Sequence, residues 1–308
     1  MTTVTDFTPM LQQVLEEVRP LTLQGKVADY IPELGHVDRN KLGIALYLPD
    51  GGVFCAGDAH ERFSIQSISK VFTLIMAYRR LGDALWQRVG REPSGTPFNS
   101  LIQLETDLGI PRNPFINAGA LVVSDILCSQ YVNAHLSILE FIRQISGVDD
   151  INFNTRVARS EAQHGFRNAA MANFIKSFGN LKAPVDDVLQ TYFRQCSIEM
   201  SCAELVRAAQ LLVHYGTTPD VSEAILTPSE VRRVTSIMLT CGTYDAAGDF
   251  AFRIGLPAKS GVGGGILAVV PGRMALCVWS PALDYHGNSL AGSRALELFS
   301  ARSGFSVF

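Results

Sequence analysis

Lysine is scarce in this chain. Its 308 residues carry 26 basic side chains, and only six are lysine: Lys26, Lys41, Lys70, Lys176, Lys182 and Lys259. A lysine ammonium can be made to lose its proton at neutral pH, whereas a guanidinium effectively cannot, so the place of each lysine carries information. Charge of either sign is also sparse, at 18% of residues with a formal net charge of −3. This near-neutral balance argues against a nucleic-acid binder, because neutralising phosphates needs a basic surface. The six cysteines form no CxxC pair and the six histidines no HExxH, so neither a disulfide framework nor a metal site is expected, and no cofactor is called for. Scattered cysteines of this kind read as buried thiols in a reducing cytoplasm.

Long apolar runs are missing too. The most apolar stretch, Ile266 to Leu283, is interrupted by Pro271, Arg273 and Pro281, and Ala118 to Leu127 is short and contains Asp125. Crossing a bilayer as a helix takes roughly 20 apolar residues, so no membrane span is expected. The first residues, MTTVTDFTPMLQQVLEE, lack the basic and apolar regions of a secretory signal. What the chain does have is a 47% apolar content, enough for a large core in one domain or two closely fused ones.

Periodicity divides the chain into three stretches. Thr8 to Gln24 places Met10, Leu11, Val14, Leu15 and Val18 at helical spacing, with Thr8 as a cap before Pro9. Leu42 to Leu48 and Val53 to Ala59 read as strands of a hairpin around Asp50-Gly51-Gly52. From Ser67 to Gly242 the pattern is helical: Val71–Arg80, Ala118–Tyr131, Leu136–Ile145, Glu161–Phe178, Val185–Cys196, Ala203–Tyr215 and Ser229–Leu239. Ser201 or Cys202 and Thr227-Pro228 supply start signals, and Gly147, Gly179, Gly216 and Gly242 read as stops. Strands return at Phe250–Ile254, Gly265–Val270 and Met274–Ser280, followed by a helix over Ser289–Ser300. The expected fold is α/β of the α+β type. An antiparallel sheet from the N- and C-terminal strands (residues 1–66 with 243–308) is flanked by terminal helices, and residues 67–242 form a helical subdomain. A cleft between the two is a natural small-molecule site.

Two motifs fall beside that cleft. Ser67-Ile68-Ser69-Lys70 is a Ser-x-x-Lys sequence at a helix start. Three residues apart on a helix, both side chains share a face, and a partly buried lysine near the positive helix end can lose its proton and act as base to the serine. The same four residues also read as a capping serine beside a solvated lysine, so the motif needs context. The second motif is Lys259-Ser260-Gly261-Val262-Gly263-Gly264-Gly265, which precedes a β-branched run. Nucleotide-binding loops place a helix after their glycines, and here a strand follows. A Lys-Ser/Thr-Gly strand is instead what borders the Ser-x-x-Lys helix of serine acylases.

The segments FSIQSISKVF, NPFINAGAL, SFGN, LPAKSGVGGGI and GNSLAG, in this order, resemble the bacterial-type serine glutaminases over essentially the whole chain. The resemblance implies a serine β-lactamase-like fold, hydrolysis of L-glutamine to L-glutamate and ammonia, and a homo-oligomer, either homotetramer or dimer. It implies Ser67 as nucleophile, Lys70 as its base, the backbone N–H of Val262 beside that of Ser67 as oxyanion hole, and Tyr244 as a proton relay next to the serine. Asn117, Glu161, Asn168 and Tyr192 are implied to contact the substrate, with Tyr30 as a further pocket tyrosine. The residue types suit the ligand. A carboxylate such as Glu161 can hold an ammonium, and amides and phenols can orient the other polar groups. Glu161 and Asn168 are seven apart, nearly two helical turns, which places them on one face of a continuous helix. Two rivals stay open: another serine acylase of the β-lactamase or penicillin-binding class, and a non-catalytic ligand-binding relative. Against the first, the chain has no Ser-Asp-Asn, and Tyr244 is followed by Asp245-Ala246 rather than by x-Asn.

Overall fold

The computed structural model describes residues 6–50, 52–95, 100–218 and 223–308. Its centre is a five-stranded antiparallel sheet. Chain order is β2 (Gly43–Leu48), β3 (Gly52–Gly57), β7 (Ala258–Ser260), β8 (Gly265–Val270) and β9 (Met274–Trp279), and the spatial order is β3-β2-β9-β8-β7. The N-terminal hairpin thus joins the C-terminal strands across the β2–β9 pair, with Ala45 opposite Cys277. Gly51 of the expected hairpin turn lies outside the described residues.

Alternation along the strands explains why both faces are apolar. Ile44, Leu46, Ile266, Ala268, Leu276 and Val278 point to one face, where they pack with Leu11, Val14, Leu15 and Val18 of α1 (Thr8–Val18) and Ala291, Ala295, Leu296 and Phe299 of α13 (Leu290–Ser303). Ala45, Leu267, Val269, Ala275, Cys277 and Trp279 point to the other face, into a core shared with the helices that follow β3. In chain order the helices after β3 are α2 (Ser69–Leu81), α3 (Ile102–Thr106), α4 (Asn117–Gln130), α5 (Ala134–Ser146), α6 (Thr155–His164), α7 (Phe166–Ser177), α8 (Val185–Cys196), α9 (Cys202–Ala208), α10 (Gln210–Val213), α11 (Pro228–Cys241) and α12 (Ala247–Ile254); Phe250 and Ile254 of α12 pack on the first face instead, and Val157 of α6 joins a small third cluster. Two small sheets complete the frame. β1 (Lys26–Val27) pairs with β10 (Ala282–Leu283), and β4 (Phe63–Ser64) and β5 (Asn152–Phe153) flank β6 (Ile198–Met200). No helix of the described residues is long and apolar enough to cross a membrane.

Capping follows the sequence at several ends. Ser201 and Thr227 each form a capping box, with Glu204 and Glu230 respectively. Gly147 closes α5 in the left-handed conformation. Thr8 is the first residue of α1 rather than its cap, and its N–H donates to Asp6 Oδ1 at 2.9 Å. That helix gives way to a 3-10 turn over Arg19–Leu23, where Pro20 removes a donor.

Three other expectations are corrected. Phe250–Ile254 is the end of α12, not a strand. Alternating Phe250, Phe252 and Ile254 imitate a period of two, but Phe250 and Ile254 are one helical turn apart and buried while Phe252 is 90% exposed. The fifth strand is Ala258–Ser260, the sheet edge that carries Lys259. Glu161–Phe178 is broken into α6 and α7 at Gly165, where a β-carbon would sit 2.5 Å from Phe193 Cζ and 2.6 Å from Glu161 O. Ala203–Tyr215 splits at Ala209 and ends at Val213, with Tyr215 at φ +53°. Gly242 does stop α11 as expected, with φ −79° rather than a left-handed backbone. It is a close approach, because a β-carbon there would lie 1.7 Å from Ala258 O.

Candidate active site

Ser67 sits on a 3-10 turn, Gln66–Ile68, that leads into α2, and Gln66 before it has a left-handed backbone at φ +49°. Bulky residues adopt that conformation only under constraint, and such strain gathers at functional sites. The constraint is the glycine-rich loop between β7 and β8. A β-carbon on Gly261 would lie 2.6 Å from Ile65 O, and one on Gly263 would lie 2.2 Å from Ser64 O. The glycines therefore let two backbone segments meet where side chains would collide. Between them is Val262, whose N–H meets no acceptor among the described residues.

Lys70 follows Ser67 by three residues and is 1% exposed. Its Nζ donates to Asn117 Oδ1 at 2.8 Å and to the Phe115 carbonyl at 3.2 Å, and it lies 5.7 Å from the centroid of the Tyr192 ring. Burial pulls this amine down to about 8, against the smaller opposing influence of Cys196 and Glu161. Asn117 opens α4 and donates its amide hydrogens to Asn168 Oδ1 at 3.0 Å.

The second lysine is deeper still. Lys259 is fully buried on β7 and donates to the carbonyls of Gly242 at 2.9 Å and Ser260 at 2.5 Å. Burial, reinforced by the charge of Lys70, holds it well below the usual lysine range. Its Nζ lies 4.5 Å from the Tyr244 ring centroid. Tyr244, also buried, has φ +59° and shares a hydrogen bond with the Ser67 side chain, and its hydroxyl donates to Ser260 O at 3.4 Å. Burial pushes that phenol up to about 12.

In front of Ser67 opens a cavity of about 340 Å³. Tyr30, Ser67, Asn117, Glu161, Asn168, Tyr192 and Val262 all line it, so the structure brings these seven sequence-identified residues to one pocket. Tyr244 does not line it and packs with Val262 and Ile31 instead. Glu161 and Asn168 reach the pocket from different helices, α6 and α7, and the bend at Gly165 brings them to the same wall. Burial raises the Glu161 carboxyl to about 7, although a hydrogen bond with Gln66 and the charge of Lys70 pull the other way. Tyr192 is buried and its phenol is held well above the usual tyrosine range.

Sequence reasoning missed five lining residues: Ile31, Gln66, His164, Gly165 and Arg167. Gln66 adjoins the serine and donates to Ser64 Oγ at 3.0 Å, so its position next to the motif was the available signal. Arg167, exposed at the rim, pairs with no acid among the described residues and is the one lysine or arginine on the lining.

A serine, a buried amine with a depressed pKa and a free backbone N–H around a small polar cavity can carry out acyl transfer. Comparison with known proteins narrows the family. The sequence profile described as Glutaminase matches residues 25–308. A glutaminase of Paraburkholderia phytofirmans is 55% identical over 98% of this chain and 100% of its own length, and one of Pseudomonas fluorescens is 55% identical over 97% and 99%. A Bacillus subtilis glutaminase, solved as a covalent complex with 5-oxo-L-norleucine formed by reaction with 6-diazo-5-oxo-L-norleucine, superposes with a TM-score of 0.86 at 33% identity, covering 98% of this chain and 99% of that one. The pocket, the fold around it and these full-length likenesses lead to one conclusion: the chain belongs to the glutaminase family.

Proposed function

We propose that this pocket hydrolyses L-glutamine to L-glutamate and ammonia through an acyl-enzyme on Ser67. Ser67 Oγ attacks the side-chain amide carbon and its proton passes to the neutral amine of Lys70. The oxyanion is held by the N–H groups of Ser67 and Val262. Collapse returns a proton to the amide nitrogen, through Lys70 or the Tyr244 hydroxyl, and ammonia leaves a glutamyl ester. Water attacks the ester, the same base accepts its proton, and glutamate is released with Ser67 restored. The ester divides one difficult step into two easier ones.

The observation that carries this reading is the burial of Lys70 within one helical turn of Ser67. It brings the amine to about 8, so a useful fraction is neutral near physiological pH. Glu161 supplies the one carboxylate on the lining for the substrate ammonium. Asn117, Asn168 and Tyr192 orient the remaining polar groups, Tyr30 closes over them from the half-exposed side, and Arg167 faces the carboxylate at the rim. A division of labour between residues 1–66 with 243–308 and residues 67–242 places the oxyanion loop on the sheet side and the substrate-binding helices opposite it. All six cysteines are free, which supports a reducing, cytoplasmic setting. Exposed apolar residues such as Ile102, Val132 and Phe166 support a homo-oligomer, dimer or tetramer.

The covalent complex of the Bacillus relative supplies the test. Treatment with 6-diazo-5-oxo-L-norleucine should add one adduct, mapped by peptide mass to Ser67 and absent from Ser67→Ala. An adduct on any other residue contradicts the assignment.

A further inference from the structure

Tyr244 has a left-handed backbone that an aromatic residue does not adopt unaided, and the residues on both sides of it are gripped by one loop, 284–288. On one side the buried Asn288 donates its amide hydrogens to Thr243 O at 3.3 Å. On the other, His286 Nδ1 lies 2.9 Å from Asp245 Oδ1. The loop is itself braced. Asp284 Oδ1 accepts from the backbone N–H groups of His286 at 2.9 Å and Asn288 at 3.0 Å, and the Asp284 N–H donates to Asn288 O at 2.8 Å. At its tip, a β-carbon on Gly287 would lie 3.7 Å from the Tyr244 ring and 3.9 Å from Val262 Cγ1, so the loop backbone also rests against the two residues that flank Ser67.

We propose that His286, through its hydrogen bond to Asp245, is a positioning residue for Tyr244: the 284–288 loop clasps the chain on both sides of that tyrosine and keeps its hydroxyl at Ser67. The inference rests on the reading of Tyr244 as the proton relay. His286 is not one of the residues that line the pocket, and its ring hydrogen bond goes to Asp245, so it acts through the tyrosine. The side chains of His286 and Asp245 are partly exposed, so His286→Ala should leave the fold intact.

The test is steady-state hydrolysis of L-glutamine by the full chain and its His286→Ala, His286→Asn, Tyr244→Phe and His286→Ala/Tyr244→Phe variants. His286→Ala should lower kcat about tenfold with KM within about twofold. His286→Asn, whose amide N–H can replace Nδ1–H against Asp245, should recover most of the loss. In the Tyr244→Phe background His286→Ala should cost nothing further, because the group it positions is gone. An unchanged kcat, or the full loss persisting without the tyrosine hydroxyl, overturns the proposal. A crystal structure of His286→Ala separates this from the reaction itself. The Tyr244 hydroxyl should have left Ser67, and an unmoved tyrosine overturns the clasp. A wild-type protein that leaves glutamine intact contradicts the glutaminase reading alone.

Discussion

The Nζ of Lys70 donates to the amide oxygen of Asn117 at 2.8 Å. The partner's neutrality matters. An amide accepts the hydrogen bond without a full negative charge, so burial still dominates and the amine stays near 8. Replacing Asn117 with Asp places a carboxylate against the same nitrogen and should raise the lysine. In Asn117→Asp the acid limb of log kcat against pH should move to higher pH by at least one unit. An unmoved limb would show that another group titrates there.

The unmodified enzyme should show an acid limb built from two groups. Glu161 becomes a carboxylate as pH rises through about 7, and Lys70 becomes neutral as it rises through about 8. Both changes favour activity, so kcat/KM should climb between pH 6 and pH 9, with the steeper, two-proton slope below 7. Activity that is highest at pH 6 contradicts these roles.

Lys70→Arg keeps the charge and removes the ability to lose a proton. It should be expressed as folded protein, and kcat should fall roughly 10²- to 10⁴-fold, the usual range for removing a general base. Retention of more than a tenth of wild-type kcat argues against proton abstraction by Lys70.

Glu161 links function to stability. Its carboxyl is raised from 4.5 to about 7 by burial, so the folded state holds its proton more tightly than the unfolded chain does. The stability this provides is complete below pH 4.5 and is lost as pH rises through 7. At about 1.4 kcal/mol per pH unit, the loss above pH 7 is on the order of 3 kcal/mol. Glu161→Gln removes the titration. It should raise the melting temperature at pH 8 more than at pH 5, while kcat/KM for glutamine falls about 10- to 100-fold from the lost charged hydrogen bond. Equal effects on melting at both pH values contradict the linkage.

The glycine-rich loop offers a purely geometric test. In Gly263→Ala a β-carbon would approach Ser64 O to 2.2 Å, and the obstacle is backbone that cannot swing aside. The loop must retreat, carrying the Val262 N–H from the oxyanion. Loss of one such donor costs about 10²- to 10³-fold in kcat. That fall, with KM changed much less, is the expected result in steady-state kinetics. A kcat within threefold of wild type contradicts the oxyanion role of Val262.

Where the sequence could be read and where it could not follows from particular residues. β8 and β9 were legible because both faces are covered and their runs are almost wholly apolar. Seven of the named pocket residues converge because long motifs fixed their order, and no periodicity could have paired Tyr30 with Tyr192 across more than 150 positions. The break between α6 and α7 was hidden because its cause, Phe193, lies on another helix and forbids a side chain at Gly165. The edge strand was misplaced for a related reason. Ala258–Ser260 is only three residues long and is held by Gly242 and β8, while the aromatic alternation in α12 looked more like a strand than the strand itself. Of the six lysines, two are fully or nearly fully buried, and they are the ones in the two motifs. Their burial is a tertiary property, and scarcity alone could only direct attention to them.

The most direct measurement is ammonia release from L-glutamine by the purified protein and its Ser67→Ala variant, followed at pH 8. The wild type should release ammonia and glutamate in equal amounts, and the alanine variant should be slower by at least 10³-fold, since the acyl-enzyme cannot form. A wild-type protein without activity, or a Ser67→Ala protein that keeps it, contradicts the account.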